Sequence, residues 1–221
     1  MFSALRHAQF RRFWFGNLAA VGGQQIMWVA QGWLVYDLTK EAVYLGYVGL
    51  ASAAPAILLN LAGGVVADRF DQRRVIFVTQ AVSAAVVGVI AALTALDAIE
   101  VWHIIVGAFV SGSMQAFNNP ARQSIFPQLV DRKDLMNAVA LNSMVWQGTR
   151  IVAPAIGGVV LAAFGAASAF ALCCAGFFVL GLAVIGLQTE APSRARASAF
   201  ADLKEGLSFI SANFVFAFSS S

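Results

Sequence analysis

Amides and arginines recur at helical spacing inside long apolar stretches of this sequence. Gln24 and Gln31 lie seven residues apart, and Gln115 and Asn119 lie four apart, so each pair falls on one face of a helix. An amide or a guanidinium group at membrane depth is costly unless it faces water or a polar partner. We therefore predict a cavity that binds a small-molecule solute. Its candidate lining residues are Gln24, Gln31, Gln115, Asn119, Gln147 and Arg150.

Arg150 is the most costly of these residues, because it lies about halfway along an apolar stretch. An arginine at the centre of a bilayer costs roughly 2.5–3.5 kcal/mol on insertion scales. Two roles remain open for it: attracting a polar or anionic solute, or tying its helix to neighbouring amides and carbonyl groups. For the amides, cavity lining and hydrogen bonding between helices likewise remain open.

The residue patterns of soluble enzymes are missing from the sequence. It has two histidines, His7 and His103, and contains neither an H-E-x-x-H motif nor a P-loop. Cys173 and Cys174 are adjacent, so they form neither a C-x-x-C pair nor a spaced set of metal ligands. We predict no catalytic residues, no metal site, no cofactor and no enzymatic activity.

The composition excludes an ordinary water-soluble fold. The chain is 60% hydrophobic and 11% charged, and its mean hydropathy is +0.76. A soluble domain carries roughly 25% charged residues. The net charge of +3 does not indicate nucleic-acid binding, because the charges fall in short clusters between apolar blocks rather than on one face.

Six apolar blocks are long enough to cross a bilayer as helices, which takes about 20 residues each. They are continuously apolar instead of alternating, which favours helices over barrel strands. We therefore predict an all-α membrane protein with six transmembrane helices. The predicted spans are 14–37, 43–67, 75–97, 101–121, 137–163 and 167–188.

Basic residues are concentrated in every second connection between these blocks. Twelve of the 14 lysines and arginines lie in segments 6–12, 69–74, 122–133 and 194–204, whereas the alternate connections hold only Lys40. The positive-inside rule then places both ends of the six-helix unit in the cytoplasm.

The blocks also predict internal symmetry and domain boundaries. Spans 1 and 4 are both rich in amides, as expected for a 3+3 inverted repeat with a binding site at the repeat interface. We predict a six-helix bundle over 1–188, a cytoplasmic linker with an amphipathic helix over 189–213, and a truncated second half or non-native tail over 214–221.

A charged hairpin separates the second and third blocks, in the order Gly64-Val-Val-Ala-Asp68-Arg69-Phe-Asp71-Gln-Arg73-Arg74. It resembles the loop between helices 2 and 3 of major facilitator superfamily transporters, G-x-x-x-D-R-x-G-x-R-R. Asp71 stands where that family usually has glycine. The hairpin has two interpretations, a topological signal or a conformational latch. The resemblance implies the latch, in which Asp68 pairs with Arg73 and with Arg122.

A second stretch resembles the fifth-helix motif of the same family, whose core is G-P-x-x-G-G. Ala153 replaces the first glycine, while Pro154, Gly157 and Gly158 match, and the proline is expected to kink the helix. Segment 119–130 resembles the enterobactin-exporter-like and multidrug-efflux branch. The resemblance extends to about residue 212.

The resemblance implies the N-terminal half of a twelve-helix major facilitator exporter in the bacterial inner membrane. Its expected activity is secondary active export of a small amphipathic solute, siderophore-like or drug-like, by proton antiport. Such activity requires a second six-helix half or a homodimer partner. The alternative is a non-transporting six-helix membrane scaffold or a degenerate fragment.

Overall fold

The computed structural model describes residues 3–188, and every regular element in that range is helical. The five long helices are α1 (Ala8–Thr39), α2 (Val43–Arg69), α3 (Gln72–Ala95), α4 (Val101–Ile125) and α5 (Leu135–Val184). Short 3₁₀ helices cover Ser3–Arg6, Phe126–Leu129 and Arg132–Asp134. The predicted all-α class is confirmed, whereas the predicted linker and tail lie outside the described residues.

Helix α5 is interrupted at Gly165, between the two blocks that the sequence predicts as spans 5 and 6. Gly165 has φ 79° and ψ 174°, a backbone conformation that is accessible to glycine and strained for other residues. Pro154 lies inside helical backbone, so the interruption is at Gly165 rather than at the proline. We refer to 135–164 and 166–184 as the first and second segments of α5.

The two segments of α5 pack against α1 in opposite directions. The first segment runs parallel to α1 and the second runs antiparallel to it, so the chain reverses direction at Gly165. The contacts that show this are Trp14 with Leu141, Ile26 with Gly157, Gly23 with Cys173, and Gly16 with Leu180.

Helix α4 is related to α2 and α3 in the same way. It runs parallel to α2 and antiparallel to α3. The contacts are Gly112 with Ser52 and Gly63 with Ala116 for α2, and Gly107 with Ile90 and Asn118 with Thr79 for α3.

The connections rich in arginine and lysine meet at one end of the bundle, which we call the basic end. His7 contacts Asp134 there, and the backbone N–H of Gln188 donates to the side chain of Gln9 at 2.8 Å. Arg73 donates to the carbonyl oxygen of Leu187. The start of α1, the α2–α3 turn and the end of α5 are therefore neighbours.

Within residues 3–188, three helical stretches are long and apolar enough to cross a membrane, namely Val43–Arg69, Gln72–Ala95 and Arg132–Val184. With 32 and 25 residues, α1 and α4 are also long enough to span a bilayer. Their interior amides lower their mean hydropathy, and these amides mark the site described below.

Candidate functional site

An amide-lined cavity of about 410 Å³ lies between α1, α2, α4 and the first segment of α5. We call it the amide cavity. It contains four of the six predicted lining residues: Gln24 and Gln31 from α1, and Gln115 and Asn119 from α4. Apolar side chains make up most of the remaining wall, so the cavity offers a few polar groups on an apolar surface. That combination suits an amphipathic solute.

The other two predicted lining residues, Gln147 and Arg150, are placed elsewhere. Both are exposed and neither contributes to the amide cavity. Helix α5 instead presents Trp146 to the cavity. Successive helical residues are about 100° apart, so Gln147 and Arg150 lie on the face next to that of Trp146.

A second, more polar cavity of about 300 Å³ adjoins the first toward the basic end. We call it the Arg122 chamber. The two cavities have Asn119 and Trp146 in common. The chamber is lined by Asn17, Asn119, Arg122, Gln123, Phe126, Asn142 and Trp146.

Arg122 is buried, with 5% of its surface exposed, and the chamber around it is lined by four amides and two aromatic side chains. Its Nη1 donates to Asn17 Oδ1 at 2.9 Å, and Asn17 Nδ2 donates in turn to Asn142 Oδ1 at 3.2 Å. Its Nε has no hydrogen-bond acceptor among residues 3–188, and no acid in that range forms an ion pair with it. A buried guanidinium is thus held by a single neutral group.

The charged hairpin has a different pairing from the one implied by the family resemblance. Asp68 is exposed, and within the described part of the chain it pairs with neither Arg73 nor Arg122. Arg73 binds Asp71 through two contacts, Nε to Oδ1 at 3.0 Å and Nη2 to Oδ2 at 2.7 Å.

Asp71 also begins α3, because its Oδ1 accepts the backbone N–H of Arg73 at 2.9 Å. The hydrogen bond from the Arg73 side chain is the main cause that lowers the pKa of this carboxyl group. Asp71 therefore closes the turn by capping a helix and binding an arginine, where the family usually has glycine.

The close approach of helices beside this hairpin occurs at Gly63, not at Gly64. A Cβ atom at Gly63 would overlap the carbonyl oxygen of Ala116, whereas one at Gly64 would have no described atom within 4 Å. Arg69 and Arg74 are exposed at the basic end. The structure therefore brings Arg73 into the hairpin's contacts and leaves Asp68, Arg69 and Arg74 at the surface.

A family model described as "Transmembrane secretion effector" matches residues 1–217. The chain belongs to the major facilitator superfamily. Members of this superfamily are transporters rather than enzymes, which confirms the prediction that the chain has no enzymatic activity. The chain is accordingly an integral membrane protein.

Three curated relatives are similar to this major facilitator chain. The staphyloferrin A transporter of Staphylococcus aureus is 34% identical over 65% of this chain and 37% of its own length. An uncharacterized transporter of Bacillus subtilis, YfiS, is 26% identical over 79% and 42%. The multidrug efflux pump Tap of Mycolicibacterium fortuitum is 29% identical over 89% and 50%. The chain thus spans half or less of each relative's length.

The fifth-helix motif of this major facilitator chain contributes one helix contact. Gly157 packs against Ile26 of α1. A Cβ atom added to Gly157 would lie 3.2 Å from the Cα atom of Ile26. Gly158 is exposed and has no described atom near its Cβ position. Of the two motif glycines, Gly157 alone serves the packing of α5 on α1.

Sequence reasoning missed Asn17, Asn142 and Trp146, which line the Arg122 chamber. A signal for Asn17 was present, because it precedes Gln24 by seven residues and so continues the amide face of α1. Asn142 and Trp146 are four residues apart and share a face of α5 in the same manner.

A surface cluster at the basic end joins the chain's first residues to the α4–α5 connection. His7 Nε2 lies 2.9 Å from Asp134 Oδ2, and Ser3 Oγ donates to Asp134 Oδ1 at 2.6 Å. The hydrogen bond from His7 is the main cause that lowers the pKa of Asp134. Ligand atoms of His7, Asp131 and Asp134 lie within 4.8 Å of one another. Lys133 lies 3.6 Å from Asp131, so both acids already have partners.

Proposed function

We propose that this chain is the N-terminal half of a secondary active exporter for small amphipathic solutes, siderophore-like or drug-like. The observation that carries the proposal is the amide cavity, in which four predicted polar residues meet between helices α1 and α4. The relatives named as a staphyloferrin A transporter and as a multidrug efflux pump favour the same function. The proposed location is the bacterial plasma membrane, with both ends of the bundle in the cytoplasm.

The helix directions support a 3+3 inverted repeat. Helix α1 runs parallel to the first segment of α5 and antiparallel to the second, and α4 relates to α2 and α3 in the same way. Exchanging α1–α3 with α4 and the two α5 segments therefore preserves each neighbour and its direction. Solute sites of such repeats lie at the repeat interface, and the amide cavity lies between α1 and α4.

A second six-helix half, or a second copy of this chain, is the partner we propose. Large apolar side chains protrude from α2 and from the first segment of α5, which the repeat makes equivalent. Leu58 is 77% exposed on α2, and Ile151 is 78% exposed on α5. In the same proposal, five charged residues control the opening of the transporter at the basic end. Asp68, Arg69 and Arg74 contact the partner, while Arg73 and Arg122 make their contacts within this half.

Proton antiport is the proposed energy source. In the described part of the chain, the interiors of the helices carry amides and arginines, and the acids lie at helix ends or in connections. Asp37, in the last turn of α1, or an acid of the second half is the proposed titrating group.

Efflux of fluorescent amphipathic dyes, one anionic and one cationic, tests the proposal. Cells would express the chain alone, which tests the homodimer, or together with the second six-helix half of a related exporter, which tests the two-half transporter. We expect one arrangement to lower the accumulation of at least one dye, and a protonophore to abolish the effect. Dye retention in both arrangements would contradict export and favour a scaffold.

A pair of matched substitutions tests whether the amide cavity is the route. Gln115→Leu removes a cavity amide, whereas Gln147→Leu makes the same change on an exposed face. Efflux should fall several-fold in the first variant and stay within about twofold in the second. An equal reduction of efflux in the two variants would show that the solute does not pass through the amide cavity.

A further inference from the structure

We propose that the Arg122 chamber is a binding subsite for a carboxylate group carried by the transported solute. The inference rests on the proposed export function and adds a substrate class to it. The carboxylate would occupy the chamber, and the apolar body of the solute would extend into the amide cavity through the shared Asn119 and Trp146.

The first argument is the missing counter-charge. Buried charges in proteins are paired with an opposite charge, because an isolated one has lost its hydration without compensation. Arg122 is 5% exposed, and its one described hydrogen bond goes to the neutral Asn17. An anion in the chamber would supply the charge that the described part of the protein does not.

The second argument is the presence of donors without acceptors at the chamber. Arg122 Nε is buried without an acceptor in the described range, and the residue lines the chamber. The amide of Asn142 uses its oxygen to accept from Asn17. Its nitrogen, which makes no hydrogen bond to residues 3–188, is a second donor. A guanidinium with a neighbouring amide donor matches a carboxylate, which accepts through two oxygens.

The third argument is the space available. The chamber measures about 300 Å³, and a water molecule takes up about 30 Å³ of liquid volume. A carboxylate with a short carbon chain therefore fits. The adjoining cavity has Met27, Trp28 and Val48 in its wall, so it suits the apolar remainder of an amphipathic acid.

A purely structural role for Arg122 is the competing explanation. Basic residues in the last turn of a helix stabilise its C-terminal carbonyl groups, and Arg122 lies in the last turn of α4. Its side chain, however, donates to Asn17 on α1 and not to a carbonyl of its own helix.

Calorimetric titration of the full chain in lipid nanodiscs tests the subsite with 4-phenylbutyrate and its neutral amide, 4-phenylbutyramide. The two probes share shape and apolar area and differ in charge. We expect the acid to bind at least about tenfold more tightly than the amide, because a hydrogen bond between two charged groups is stronger than one to a neutral acceptor. Arg122→Gln should remove that preference. Arg150→Gln, which neutralises an exposed arginine, should retain it.

Equal affinity for acid and amide, or a preference that survives in Arg122→Gln, would overturn the proposal. If Arg122→Gln does not fold, Asn142→Leu removes the second donor and should weaken acid binding by at least about fivefold and amide binding by less. Binding can be measured without transport. Acid-selective binding in the absence of dye efflux would therefore contradict the export function and leave the binding subsite supported. Efflux without acid preference would sink the subsite alone.

Discussion

The charged hairpin and the Arg122 chamber each contain an arginine, but the two arginines differ in burial and in hydrogen-bond partners. In the hairpin, Arg73 has an acid, Asp71, and the carbonyl of Leu187 as partners, and it is partly exposed. In the chamber, Arg122 is buried and, among residues 3–188, has one amide partner and a donor without an acceptor. The Arg73–Asp71 pair is thus satisfied within the described chain, whereas the chamber still offers a hydrogen-bond donor to a further group.

This difference in hydrogen-bond partners distinguishes an arginine that stabilises the fold from one that is available to bind a ligand. The sequence motif points to both arginines as gating residues, yet burial and partners distinguish them. A satisfied pair stabilises the structure whether or not solute is present. An unsatisfied buried group costs stability and is retained where it has another use.

The largest expected effect concerns the contact that joins the two regions, since α2 leads into the hairpin and α4 carries Arg122. Gly63→Val would place side-chain atoms against the backbone of Ala116, which no rotamer change can relieve. We expect a loss of about 3 kcal/mol in unfolding free energy, measured by denaturant titration in micelles. Gly64→Val, with open space at its Cβ position, is the matched control. Equal losses would show that the α2–α4 approach does not hold the regions together.

Removing the charge of Arg122 should not destabilise the fold. Arg122→Met removes a buried, unpaired charge, so we expect the unfolding free energy to stay constant or rise by about 1–2 kcal/mol. Arg150→Met, the same change at an exposed position, controls for added apolar bulk. A loss of more than about 1 kcal/mol in Arg122→Met alone would make this arginine a structural residue like Arg73.

The hairpin should respond in the opposite direction. Arg73→Met breaks the two contacts with Asp71 and the one with Leu187, so we expect a loss of about 1 kcal/mol, a modest value because the pair is partly exposed. Binding of 4-phenylbutyrate should not change. Arg74→Met, at an exposed neighbour, should stay within about 0.5 kcal/mol. If Arg73→Met weakened acid binding as much as Arg122→Gln, the two regions would not be separate.

The smallest effect is a dependence on pH that belongs to the hairpin. The folded pKa of Asp71 is lowered, mainly by the hydrogen bond from Arg73 and further by the charges of Arg73 and Arg74. Its contribution is therefore fully present above the unfolded pKa of about 3.9, and it is lost as the pH falls through the lower folded value.

A series of unfolding midpoints from pH 7 to pH 3 measures this effect. The wild-type protein should lose more stability below about pH 4 than Asp71→Asn does. Identical acid profiles would mean that the pair adds nothing to the fold.

The amide cavity was predictable because spacing along one helix determines a shared face. Gln24 with Gln31, and Gln115 with Asn119, follow this rule and do meet. Spacing does not determine where a face points, so Gln147 and Arg150 share a face that the bundle turns away from the cavity.

Neighbouring residues of one type were harder to distinguish. Gly63 and Gly64 are chemically identical in the sequence, and only the position of Ala116 decides which one needs to lack a side chain. The pairing of Arg73 with Asp71 rather than Asp68 likewise depends on the turn, which puts Asp71 at the start of α3. The helices themselves followed from apolar length, because backbone groups in lipid must bond within their own segment.

The reversal at Gly165 has a practical consequence for mapping the protein by cleavage. One residue turns the chain there, with helical backbone on both sides, so an added protease finds no extended stretch to bind. The α3–α4 connection over 96–100 is mostly exposed and non-helical, and Lys40 to Ala42 is exposed as well. The chain should therefore be cut near residues 40 and 98, while a single fragment should contain both segments of α5.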